Sequence, residues 1–132
     1  MTTPTKRILV AAAVIRRGDE YFVTRRQTGV HLEGYWEFPG GKCDEGETLD
    51  ACLCREIREE LDAAVRVGAE ILAVAHEYED RVLELRFFEC ELLGEPRAVL
   101  GQEMQWVPRG LLRALEFPPA DAALLDVLAG QA

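Results

Sequence analysis

Glu56, Glu59 and Glu60 carry the sharpest chemical signal in this 132-residue chain, because they stand at i, i+3 and i+4. On an α-helix, at about 100° per residue, that spacing gathers them within roughly one third of the circumference. Leu53, Ile57 and Leu61 form an apolar stripe roughly a right angle away. Such a helix can bury one side and line a cleft with carboxylates on the next. Carboxylates this close repel one another unless cations sit among them. An all-oxygen donor set suits hard divalent ions, Mg²⁺ first and Mn²⁺ next. Taken alone, Arg55 to Glu60 is also an ordinary solvated helix face, with Arg55 and Glu59 an i,i+4 ion pair. The segment upstream sharpens the reading: Gly40-Gly41-Lys42 and then Gly46-Glu47-Thr48 lead straight into the helix.

The elements that must position these residues are legible in outline. Leu49, Leu53, Ile57 and Leu61 recur at i+4 behind Thr48, a residue suited to an N-cap, which predicts one strong helix over 48–61. Ile8 to Ile15 reads as a buried strand, turned at Arg16-Arg17-Gly18-Asp19 and returned by Tyr21 to Thr24 as a hairpin. Gln27 to Tyr35 reads as a loop, and Trp36-Glu37-Phe38 as a short strand stopped by Pro39-Gly40-Gly41. Residues 65–78 are β-rich, and Leu83, Leu85 and Phe87 alternate with Glu84 and Arg86 as a period-two strand. Met104 to Val107 is a further strand, followed by a short helix from Pro108 and a C-terminal helix marked by Leu124, Leu125 and Leu128. This alternation predicts an α/β fold, a mixed sheet covered by helices on both faces.

Composition narrows the function classes. Twenty-four acidic against 15 basic residues leave a net charge of -9, which disfavours a phosphodiester backbone as partner. A small polyphosphate remains acceptable where cations and a few local Arg or Lys residues reverse the field in one cleft. No apolar run approaches membrane-spanning length, and the opening Met-Thr-Thr-Pro-Thr-Lys-Arg lacks a convincing signal-peptide cleavage site. A cytoplasmic location is expected. Cys43, Cys52, Cys54 and Cys90 offer no C-x-x-C pair, and four reduced structural thiols are expected.

Gly41, Glu47 and Arg55-Glu56-Ile57-Arg58-Glu59-Glu60, read together, resemble the Nudix box over residues 41–63. The departures fall at its end, where Asp62 replaces the family's glycine and Ala63 its bulky aliphatic. The glycine closes the helix in a left-handed conformation, which Asp tolerates better than most residues. Thr24-Arg25-Arg26, His31, residues 37–42, Gly101-Gln102 before Trp106, and residues 117–121 extend the resemblance to the MutT branch. It implies a single Nudix domain over 1–132, an α/β/α sandwich with a mixed sheet. It also implies Mg²⁺-dependent splitting of a (deoxy)nucleoside triphosphate, oxidised or otherwise modified forms included, into monophosphate and pyrophosphate by water attack on the β-phosphorus.

By the same resemblance the Gly40 carbonyl, Glu56, Glu59 and Glu60 are the expected metal ligands, with Glu56 favoured for orienting the attacking water. Glu47 and Arg55 brace the loop and helix. Arg26, His31, Phe38, Lys42 and Asp121 are the expected substrate contacts, with a core role for Phe38 and a helix cap for Asp121 as competing readings. An ionised Asp121 suits the adjacent N–H donors of guanine, whereas aspartate-bearing relatives act on cytosine nucleotides; both stay open, with oxidised guanine favoured. The branch's extra glutamate before Gly-Gln is Leu100 here, with Glu103 the nearest carboxylate. Dinucleoside polyphosphate hydrolysis (Tyr78 near the relevant place), ADP-ribose hydrolysis, and a nucleotide-binding module with little turnover are the alternatives. A nucleotide partner, no nucleic acid and no membrane are expected; the oligomeric state is open.

Overall fold

The computed structural model describes residues 6–130; the leading residues read above for a signal peptide lie outside them up to residue 5. The chain runs β1 (Lys6–Arg17), β2 (Glu20–Arg25), β3 (Trp36–Glu37), β4 (Gly40–Lys42), α1 (Leu49–Leu61), β5 (Val65–Glu77), β6 (Arg81–Leu92), β7 (Met104–Pro108) and α2 (Ala122–Ala129). Short 3₁₀ turns occupy Arg109–Ala114 and Pro119–Asp121. The short helix expected from Pro108 is thus present as a 3₁₀ helix capped by that proline. The strands form a mixed sheet of order β3-β2-β1-β6-β5, with β4 added to β1 and β7 to β2. Among the described residues only β1 and β6 run parallel, in register from Lys6↔Arg81 to Ile15↔Cys90.

Side-chain alternation along β1 divides the core. Ala11, Ala13 and Ile15 face α1, joining Leu53, Ile57, Leu61 and Phe22. Ala12 and Val14 face the opposite side with Phe38, Phe87, Leu124 and Leu128. The sheet is thus covered on both faces, as periodicity predicts. Strand β6 obeys the same parity: Leu85 and Phe87 pack on the α2 side, Phe88 and Cys90 on the α1 side.

Two local features fix the entry and exit of α1. The Thr48 hydroxyl accepts from the Ala51 amide at 3.1 Å, an N-cap that satisfies an otherwise orphaned donor. At the other end Asp62 adopts φ 49°, ψ 44°, the left-handed C-cap expected of it.

The expectation for the cysteines requires correction. Cys43 and Cys52 are joined as a disulfide, with Cα atoms 5.2 Å apart; Cys54 and Cys90 are free. Sequence spacing could not show this, because the pairing depends on β4 lying against the first turns of α1.

Candidate active site

The site is built where the end of β4 meets α1. Strand β4 pairs with β1 through Ala12↔Gly40, Ala11↔Gly41 and Val10↔Lys42. Gly40 has φ 156°, and a Cβ there would lie 2.8 Å from the Ala12 Cα. At Gly41 a Cβ would fall 2.5 Å from the carboxyl carbon of Glu56. Both glycines are demanded by close approach: the first by backbone against backbone, the second by backbone against a carboxylate.

Arg55 organises the loop between β4 and α1. Its Nε and Nη2 donate to Glu47 Oε2 and Oε1 at 2.8 and 2.9 Å, a bidentate pair. Nη2 also donates to the Lys42 carbonyl at 3.0 Å, while Nη1 reaches Glu56 at 2.9 Å and Glu59 at 3.3 Å. Glu47 Oε1 accepts from the Asp44 amide at 2.9 Å. These bonds hold the Glu47 carboxyl down at about 2, the Arg55 guanidinium contributing first and the Asp44 amide next.

The three helix carboxylates do not share one environment. The Glu56 side chain is 14% exposed and the Glu59 side chain 58%. Glu59 leans towards a surface groove with Arg58, Asp62 and Arg97. Glu60 is half-buried and hydrogen-bonded to Glu56; burial first, then the charges of Glu37 and Glu56, push its carboxyl up to about 8. Like charges crowded at Glu56 and Glu60, beside a glycine-lined backbone, are the condition a divalent cation relieves. The oxygen-only donor set of Glu56, Glu59, Glu60 and the Gly40 carbonyl fits the chemistry of such an ion. Among the described residues the His/Cys/Asp/Glu ligand atoms that converge within 4.8 Å are those of Cys43, Glu47 and Cys52, whereas the carboxylates of Glu56, Glu59 and Glu60 do not close into such a group.

A cleft of about 450 Å³ opens beside this corner. Arg26, His31, Phe38, Gly40, Gly41, Lys42 and Asp121 all line it. Its floor is one face of β1 and β6, including Val10, Ala12, Leu83, Leu85 and Phe87. The alternation of β6 therefore makes a cavity floor as well as a core face. The Arg26 guanidinium bonds Glu37 at 2.8 Å and the His31 carbonyl at 2.5 Å, tying the 27–35 loop to β3. Phe38 is buried, stacked on Phe117 at 5.2 Å and edge-on to Phe87 at 6.4 Å. Asp121 is 7% exposed and stands at the start of α2 without making a side-chain cap bond. Burial, and then the charge of Glu37, push its carboxyl up to about 7.

Glu37 is the residue that sequence reading left without a role. It lines the cleft, bonds Arg26 and sets the field at both Glu60 and Asp121. Its placement depends on the register Thr24↔Glu37 between β2 and β3, a non-local pairing with no periodic trace in a two-residue strand. Leu100 is exposed, in a loop docked on α1: Gln102 donates to the Glu60 carbonyl at 2.9 Å and accepts from the Leu100 amide at 2.9 Å. Glu103 pairs with Arg25 at 3.4 Å and lines a separate groove with Arg25 and Gln27.

A carboxylate helix bound to a glycine turn, beside a cleft floored by a mixed sheet, is an arrangement suited to a divalent cation and an anionic substrate. The chain belongs to the Nudix family, whose NUDIX domain matches residues 10–127. An 8-oxo-dGTP diphosphatase of Haemophilus influenzae is 39% identical over 126 residues, spanning 93% of this chain and 92% of that protein. A CTP pyrophosphohydrolase of Escherichia coli is 32% identical over 124 residues, spanning 92% and 90%. The solution structure of the Escherichia coli ORF135 protein superimposes with a TM-score of 0.84 at 30% identity, covering 93% of this chain and 89% of that one. This is a Nudix pyrophosphohydrolase with an α/β fold. Among its described residues no helix is long and apolar enough to cross a membrane.

Proposed function

We propose that this protein, as one domain in the cytoplasm, hydrolyses a (deoxy)nucleoside triphosphate to the monophosphate and pyrophosphate, with Mg²⁺ as cofactor and Mn²⁺ as substitute. Removal of oxidised nucleotides before their incorporation into DNA is the corresponding biological role. The observation that carries the reading is a cleft that holds the buried Asp121 and adjoins the Glu56–Glu60 corner through Gly41, which packs on Glu56, and Glu37, whose charge acts on Glu60.

The Gly40 carbonyl, Glu56, Glu59 and Glu60 would hold the cation. When bound, it neutralises the polyphosphate and lowers the pKa of the attacking water. Arg55 holds Glu56 by a charge-assisted bond, so this carboxylate is pre-oriented to accept a proton from, or align, that water. Lys42 brings a point charge to the polyphosphate, and Arg26 presents a fixed guanidinium to the phosphate or sugar. His31 lines the nucleoside side, and Phe38 acts as the wall rather than as a free stacking ring.

Asp121 sets the base edge. Ionised, it accepts from two adjacent donors; protonated, it offers one donor and one acceptor. The protonated form matches cytosine and also the N7–H and O6 of 8-oxoguanine, where unmodified guanine has only acceptors. The raised carboxyl thus supports oxidised guanine and cytosine together, with oxidised guanine ahead. Tyr78 lines the same cleft, which keeps diadenosine polyphosphates as the second reading. A panel of triphosphates, 8-oxo-dGTP, diadenosine polyphosphates and ADP-ribose with Mg²⁺, reading both products, tests this. Pyrophosphate with monophosphate from 8-oxo-dGTP or CTP is expected. Turnover confined to dinucleotides or ADP-ribose, or binding without turnover, would overturn it.

A further inference from the structure

Cys43 and Cys52 sit at the joint on which the metal corner depends. Cys43 directly follows β4 and is partly exposed; Cys52 lies on the buried face of α1, one turn before Glu56. Their Cα separation of 5.2 Å falls in the range that a disulfide spans without backbone movement. Cys52 also has an alternative partner, since its Sγ lies 3.7 Å from the Gly41 carbonyl, to which a thiol donates. One side chain therefore serves two states. Reduced, it hydrogen-bonds the glycine turn; oxidised, it ties that turn's strand covalently to the helix. The other cysteines are differently placed. Cys54 is exposed with no disulfide partner, and Cys90 is buried, its thiol pushed up to about 12 by desolvation.

We propose that Cys43 and Cys52 form a reversible redox-modification site, a dithiol in a reducing compartment that peroxide converts to a bridge locking β4 to α1. As a form of regulation of the site described above, its biological sense rests on the proposed hydrolase function, although the bond itself does not. The Cys43 thiolate, the more accessible, attacks hydrogen peroxide; the O–O bond breaks, giving a Cys43 sulfenic acid and one water after protonation. The Cys52 thiol then attacks that sulfur, the S–S bond forms, and a second water leaves with the remaining proton. Two electrons pass from the two thiols to one peroxide. A small dithiol reverses the bond by exchange. Because the bridge fits the backbone as it stands, Gly41 and Glu56 keep their places. The bridge accordingly preserves the active geometry and slows its loss: an enzyme that handles oxidised nucleotides becomes harder to unfold under the conditions that generate them.

The test uses the full chain carrying Cys54→Ser, which removes the exposed competitor, treated with dithiothreitol or with stoichiometric hydrogen peroxide. Peptide mapping of the oxidised protein should show Cys43 linked to Cys52 and a loss of two thiols. The melting temperature should rise by about 5–10 °C. kcat/KM on the panel's best substrate should change by less than about twofold. Adding Cys43→Ser should abolish the link and the shift. A Cys43 stopped at sulfinic acid, a link without a thermal shift, or a linked protein tenfold less active would each overturn the proposal. Absence of turnover in both redox states, with the link and shift present, would instead refute the function reading and leave the redox site standing.

Discussion

Single side chains here differ sharply in what their surroundings demand of them. Glu56 is held between Gly41 and Arg55, so Glu56→Gln should lower kcat by about a hundredfold or more, some 3 kcal/mol, with a modest change in melting temperature. Glu59 is exposed and shares Arg55; Glu59→Gln should likewise cripple turnover, and its defect should ease at high Mg²⁺ if its part is cation binding. Rates close to wild type for both at low Mg²⁺ would reduce the carboxylates to helix decoration. Asp121 gives a test by pH, since its carboxyl is pushed up to about 7. Below that value it donates and accepts; above it only accepts. The kcat/KM ratio of 8-oxo-dGTP to dGTP should fall between pH 6 and pH 8.5 in the wild type and stay flat in Asp121→Asn. A flat wild-type profile would mean the base is read elsewhere.

At the level of elements, α1 is the part on which the site turns, and both of its ends are defined. Asp62 holds a left-handed conformation that glycine adopts without cost. Asp62→Gly also removes the exposed pair with Arg97 at 3.1 Å, worth little in solvent. The net expectation is a stabilisation below about 1 kcal/mol with unchanged activity, read by chemical denaturation. A drop in stability would show that the Arg97 pair outweighs the backbone. The loop after β6 offers a second test. Leu100 is 57% exposed, so Leu100→Glu should leave the melting temperature within a degree or two. A rise in turnover at fixed Mg²⁺ would show that a carboxylate on this loop can serve the corner; no change would leave the corner complete as it stands.

For the molecule as a whole, the buried acids should give stability a characteristic pH dependence. Asp121, raised from 3.8 to about 7, favours folding fully below about pH 4, and that contribution is lost as pH rises through about 7. Glu60, raised to about 8, acts in the same direction. Glu47, lowered to about 2, acts oppositely: its contribution is present above about 4.5 and lost as pH falls through about 2. Denaturation with chelator present should therefore find Asp121→Asn more stable than wild type at pH 8, by an order of a few kcal/mol, and nearly equal at pH 4. Parallel curves for the two proteins would show that Asp121 titrates normally.

Local order alone determined the helix over 48–61, its N-cap and left-handed end, the carboxylate spacing, and the glycines before it. Each depends on residues within a few turns of one another, where periodicity and capping chemistry act directly. The alternation of β1 and β6 likewise made a two-faced sheet legible. Tertiary structure alone decided the rest. The pairing of β4 with β1 brings Gly41 beneath Glu56, and β3 on β2 carries Glu37 to Arg26. The start of α2 sets Asp121 in the cleft wall, while the approach of β4 to α1 joins Cys43 to Cys52. These contacts join residues that chain order holds apart or leaves at uninformative spacing. The perturbed carboxyls at Glu60 and Asp121 follow from that assembly, because desolvation and the neighbouring charge of Glu37 come into being only when the sheet closes beneath them.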